Sequence, residues 1–204
     1  MDGQEYLNQI SGEVRPVKSN KPKFLSSPFF KLGIVAVVGL ILIMILGAAL
    51  GGGKEGAKEK NIRLLLKMNS VSEVISEYQT NVKSSDLRSS SASFSGVLAN
   101  TSRELTEYLT QKYNFSEKQV TEKMQSEIDA GRDELISELF EAKINGILDR
   151  IYAHKMAYEI SVLMNDMAEI INSTNDKAHE EFLTTAYNSL KTIYEKFNNF
   201  SDAR

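Results

Sequence analysis

After Pro28 the chain runs 176 residues to its end without another proline, and after Gly56 it holds glycine only at 96, 131 and 146. Proline removes a backbone donor and clashes with the preceding turn, and glycine costs about 1 kcal/mol inside a helix. A long stretch nearly free of both, and rich in Glu, Lys, Leu and Met, reads as almost wholly helical. The fold class expected is therefore all-α.

Ahead of that stretch lies the second constraint. Residues Leu32 to Gly53 are uncharged and strongly apolar. As a helix such a run would be about 33 Å long, enough to cross a hydrocarbon core of about 30 Å. It is expected as a single transmembrane helix acting as a signal-anchor, with a cleaved signal peptide as its rival. Lys and Arg are evenly matched on its two flanks, so positive-inside counting does not orient it. The short proline-containing tail favours a cytoplasmic N-terminus and an extracytoplasmic C-terminal domain, anchored to the cell membrane with the lipid bilayer as a partner. Gly47 and Gly51 make a GxxxG that permits close helix approach.

The organisation that follows is a flexible basic tail at 1–31, the span at 32–53, a juxtamembrane linker at 54–60, a helical bundle at 61–200 and a frayed terminus at 201–204. The tail carries five bases and three acids, whereas Lys54 to Arg204 carries 24 acids and 19 bases. Neither part concentrates the positive charge that nucleic acid requires. The chain has no cysteine, which excludes disulfides and thiolate metal sites.

Within the bundle, helical periodicity is the guide. Leu64, Met68, Val71, Ile75, Tyr78 and Val82 step by fours and threes along one face, a seam that Leu65 and Val74 widen. The register skips to Leu87 and resumes at Ser91, Phe94, Leu98, Thr101, Leu105 and Tyr108, through a serine-heavy stretch. The whole of 61–111 reads as one long helix with an irregular middle, and Thr101 with Glu104 is spaced for a capping box should the helix restart there. Lys112 to Ser116 reads as a turn, with Ser116 and Gln119 spaced for another box. Val120, Met124, Ile128, Gly131, Leu135, Leu139 and Ala142 follow, and the stripe then widens through Ile136, Phe140, Ile144, Ile147, Leu148 and Ile151. That width implies burial between several helices, with Gly146 as a corner. Met156, Ile160, Leu163, Met167 and Ile170 form another seam, 172–176 a loop and cap, and Phe182, Ala186, Leu190, Ile193, Phe197 and Phe200 the last. Three to five antiparallel helices are expected, the first of them long.

Little in the sequence looks chemical. Asp176 and His179 stand one helical turn apart, but a di-iron bundle needs the pair twice, and Ile151 occupies the matching position before His154. A solvated pair near a helix cap is the expectation. The acids Glu127, Asp129, Asp133, Glu134, Glu138 and Glu141, like Glu180 and Glu181, read as polar helix faces. Tyr152, Tyr158, Tyr187 and Tyr194, with Phe182, Phe197 and Phe200, read as core filling before ligand walls. Four Asn-x-Ser/Thr triplets begin at Asn100, Asn114, Asn172 and Asn199 and matter only in a glycosylating compartment. No catalytic, cofactor or metal site is expected, and no enzyme. The function expected is a membrane-anchored helical interaction or structural module, binding a protein partner or another copy of itself through the helical domain. The alternative is an extracytoplasmic ligand-sensing bundle signalling through a partner, and a hydrolase with scattered carboxylates is weaker still.

Overall fold

The computed structural model describes residues 56–201, which belong to one compact unit, Glu55–Arg204. Five α-helices occur among the described residues: α1 Ala57–Tyr78, α2 Ser85–Tyr113, α3 Glu122–Ile144, α4 Leu148–Ser173 and α5 Lys177–Asn198. A short 3₁₀ turn, Glu117–Gln119, precedes α3. The expected linker at 54–60 is partly helical, since α1 begins at Ala57.

The helices run alternately up and down. Lys60 in the first turn of α1 pairs with Glu169 near the end of α4 at 3.4 Å, and Lys112 at the end of α2 with Asp176 ahead of α5 at 3.0 Å. Four helices close a ring in which α1 packs on α2, α2 on α5, α5 on α4 and α4 on α1, every neighbour antiparallel. α3 stays outside this ring, carrying the chain from the end of α2 back to the start of α4 along the outside of α1 and α4.

Most of the seams read from the sequence form the core of the ring. Leu64, Met68, Val74 and Ile75 of α1, Phe94 and Leu105 of α2, Met156, Ile160 and Met167 of α4, and Leu190 of α5 are fully buried, while Leu109 and Leu183 fill the places expected for Tyr108 and Phe182, which are half-buried. Each large aliphatic side chain removed from water contributes about 1.5–3 kcal/mol, which is why the stripes determine how the helices meet. The α1 seam is spent inside the bundle and leaves no apolar stripe exposed along α1.

Four local expectations are corrected. The stretch 61–111 is two helices, because the chain turns at 79–84. There Ser84 accepts from the Leu87 N–H at 3.4 Å, and Arg88 donates to the carbonyls of Val82 and Lys83 at 2.9 and 2.8 Å. The serines belong to a regular α2, and Thr101 is a buried mid-helix residue that caps nothing. α2 ends at Asn114 in the left-handed conformation (φ 50°), the Ser116 side chain makes no cap hydrogen bond, and Thr121 caps α3 by accepting from Met124 N–H at 3.2 Å. Phe140 and Ile144 are 55 % and 69 % exposed, because α3 is packed on one side only. Gly146, at φ +70°, makes the corner between α3 and α4.

Among the described residues no helix is long and apolar enough to cross a membrane. Each apolar stripe occupies one side of its helix and alternates with charge on the other. The segment Leu32 to Gly53 lies outside the described residues. The expectation of a transmembrane helix followed by a bundle is corrected to an all-α bundle of five helices. With it go the single-pass location, the extracytoplasmic placement and the bilayer as a partner, none of which the described structure supports.

Candidate functional site

One end of the ring gathers the start of α1, the ends of α2 and α4, and the loop leading into α5. A cleft of about 490 Å³ opens there, lined by Lys60 and Asn61 of α1, Tyr108, Lys112 and Tyr113 of α2, and Ile170 to Asp176 in part. Its position follows from the helix ends. α5 is started by Asp176, whose Oδ1 accepts the His179 backbone N–H at 3.3 Å, and Thr174 Oγ1 accepts from the Asp176 N–H at 3.2 Å. An acidic cap satisfies orphan donors and suits the positive end of the helix.

Lys112 organises the rim. Its Nζ donates to the Tyr108 hydroxyl at 2.7 Å and to Asp176 Oδ2 at 3.0 Å. These two bonds push the Lys112 ammonium well above its ordinary range. Asp176 is correspondingly held below the usual carboxylate range, chiefly by Lys112 and then by the His179 N–H. The Tyr108 phenol is raised, above all by desolvation. Tyr113 meets Tyr108 edge to face, with ring centroids 6.2 Å apart, and walls the cleft.

Directly behind Asn61 and Tyr108 lies His179, only 2 % exposed. Its ring stacks on Tyr108 with centroids 3.7 Å apart and planes 2° from parallel. Its Nε2 is 2.8 Å from Asn61 Oδ1, while Asn61 Nδ2 donates to the Ala57 carbonyl at 2.7 Å. With the amide so oriented, Nε2 carries the proton and donates to Asn61, leaving Nδ1 as a bare acceptor. Nδ1 is buried and has no hydrogen-bond partner. Burial, first of all, and Lys112 second hold the imidazole down at about 4, against the opposing pull of Asp176.

The sequence placed Asp176 and His179 together as a solvated pair. Asp176 does cap α5 at the rim, but His179 is sealed inside, and the missed partner is Asn61, 118 residues away in sequence. The signal was available in part: His179, Leu183, Ala186, Leu190, Ile193 and Phe197 step by fours and threes, and all are buried. His154 is exposed. Among the described residues no group of three or more His, Asp or Glu side chains is arranged to hold a metal ion.

The acidic residues of α3 are dispersed. Glu127 meets Arg63 at 2.8 Å, Arg132 meets Asp129 and Asp133 at 3.2 Å each, and Glu138 pairs with Lys155. Glu180 and Glu181 are exposed. Of the aromatic residues, Tyr152 and Phe197 fill the core, whereas Tyr187 and Tyr194 line a shallower groove of about 280 Å³ over α4 and α5. No protein-family model, curated protein or solved structure matches this chain.

Proposed function

We propose that the chain is a non-catalytic binding module whose cleft at the α1/α2/α5 end takes a small polar ligand. The carrying observation is the convergence there of Tyr108, Lys112, Asn61 and Asp176 from three elements around about 490 Å³. That volume falls within the roughly 300–1,000 Å³ usual for small-molecule sites, and polar groups converging on partly aromatic walls are what such sites use for orientation. Pairing argues against catalysis. Lys112 is held protonated by Tyr108 and Asp176, Asp176 is held ionised, and His179 is closed off behind them. No group at the rim is poised to exchange a proton near neutral pH, as general acid–base chemistry requires.

Protein-observed NMR of the full chain, titrated with a panel of small carboxylates, amines and hydroxylated aromatics, tests this reading. Binding that perturbs Tyr113 and Asn175 and is lost in Asn175→Trp, which fills the cleft, supports it. Fragments that bind wild type and variant alike, or no binding at the cleft, would overturn it.

A second reading rests on α3. Phe140 and Ile144 stand exposed one turn apart on a helix whose exposed charges there are Asp133, Glu134 and Glu141 with one base, Lys143. A second copy would bring like charges together, so the surface fits a basic amphipathic helix of another protein. Binding of an amphipathic Lys/Leu helical peptide, measured by calorimetry, should fall in Phe140→Ser/Ile144→Ser; equal binding would sink the idea.

A further inference from the structure

We infer that His179 is an acid-operated latch: while neutral it ties α5 to α1 and α2 behind the cleft, and on gaining a proton it releases that end of the bundle. α1 and α5 stand diagonally across the four-helix ring, and His179 reaches over that diagonal to Asn61 at 2.8 Å while stacking on Tyr108 of α2. One side chain thus joins three helices. Breaking its two contacts removes the polar tie to α1 and leaves the exposed Lys112–Asp176 pair as the polar tie to α2.

The surroundings are built for the neutral ring. Protonation adds an N–H at Nδ1, where no acceptor stands. An unmet buried donor and a buried charge are each costly, so the proton favours a conformation in which the ring reaches water. The groups around the ring divide as follows. From α1 come the neutral Asn61 amide and, at the rim, Lys60, itself 3.4 Å from Glu169 of α4. From α2 come Tyr108 and Lys112, the latter repelling a second positive charge. The Tyr108 ring face would favour a cation, but Lys112 Nζ already lies 4.9 Å from its centroid. From α5 come Asp176, the one carboxylate acting directly on the ring and already held by Lys112 and the α5 N–H, and the apolar Phe182. His179 is also in the first turn of α5, where the helix dipole opposes positive charge.

The sign follows. The folded imidazole titrates at about 4, against 6.5 for an unconstrained one. Between those values the opened state binds more protons, so stability of this end falls as pH drops from 6.5 towards 4 and loses nothing further below. The effect on the cleft rests on the binding-site reading above, whereas the latch is measurable without any ligand.

The test is NMR and hydrogen exchange on the full chain without ligand. The His179 ring signal should titrate well below 6.5. First-turn amides of α5 should exchange faster at pH 4 than at pH 7 by on the order of 100-fold, after correction for intrinsic chemistry. Amides at the opposite end of the ring should not follow, and His179→Phe, which keeps an aromatic stack, should abolish the acceleration. Should the variant not fold, the wild-type titration and exchange pattern decide alone. An ordinary His179 titration, or both ends of the ring opening together, would overturn the latch. Failure of fragments to bind the cleft, with the latch intact, would overturn only the binding reading.

Discussion

The two ends of the ring solve one problem in opposite ways. Each carries a buried polar pair across a diagonal: Asn61 to His179 joins α1 and α5, and Ser91 to Tyr152 joins α2 and α4. At the second end satisfaction is complete. Ser91 Oγ donates to the Leu87 carbonyl at 2.7 Å and meets the Tyr152 hydroxyl at 2.9 Å, so one hydroxyl serves both. Tyr152 and Phe94 each pack edge to face on Phe197. Asp149 accepts the N–H groups of Lys83 and Ser84 at 2.9 and 2.8 Å, fastening the α1–α2 turn to the start of α4. Both ends carry a cleft, about 490 Å³ at the first and about 250 Å³ beside Asp149 at the second, but only the first has an orphaned nitrogen behind it. One end closed in its hydrogen bonding and one left open separate stability from responsiveness. The phenol of Tyr152 is pushed up to about 12 by burial and stays neutral throughout the physiological range, whereas His179 has a charge state to change.

The contrast can be broken most forcibly at the closed end. Phe197→Ala should cost about 3–5 kcal/mol in chemical denaturation, since it removes a fully buried ring touching both Phe94 and Tyr152. Tyr113→Ala, at the open end, should cost much less because the ring is half-buried. A loss at Tyr113 as large as that at Phe197 would contradict the division. Next is His179→Phe at pH 7, which strands Asn61 Oδ1 and should cost about 1–3 kcal/mol. The double variant Asn61→Leu/His179→Phe should recover most of it by replacing both partners with apolar groups. A double-mutant cycle with no coupling would show the diagonal pair to be inert. Tyr152→Phe should cost about 1 kcal/mol, because Ser91 keeps its bond to Leu87.

The smallest effect tests electrostatics away from both ends. Glu159 is raised above the ordinary carboxyl value, chiefly by desolvation, with Lys67 and Lys155 opposing and Glu138 reinforcing. With a folded value above the unfolded one, its ionisation lowers stability as pH rises through the carboxyl range. Glu159→Gln should therefore raise the midpoint slightly at pH 7 and do nothing at pH 3. A drop at pH 7 would mean that the carboxylate is held by its two lysines more strongly than burial opposes it.

Local periodicity made most of the ring legible. The stripe from Leu64 to Val82 and the seam from Met156 to Ile170 are buried as spacing alone indicates, because burying one face is the strongest constraint on an amphipathic helix. The break after Tyr78 was half visible. The step from Val82 to Leu87 is too long for one face, but the Asp149 carboxylate that holds the turn comes from 66 residues on. Phe140 and Ile144 misled for a related reason. Apolar spacing says which face a helix would bury, and whether a neighbour covers it is a property of the ring. Asn61 was unreadable altogether, since a polar residue one step from an apolar seam is indistinguishable from a solvated one until its partner is in place. The apolar run at 32–53 lies outside the described residues, and no spanning helix was found among those described.

The placement of α3 has a consequence of a different kind. It buries only Met124, Leu135, Leu139 and Ala142, against nine residues for α1, and closes none of the ring contacts. Detaching it would expose one flank of α1 and α4 while leaving the four ring helices in register. Such an element behaves as a separate unit of local unfolding, protected by less than the free energy of the whole. At neutral pH the described bundle is then a two-tier solid, expected to lose its outer helix before its ring.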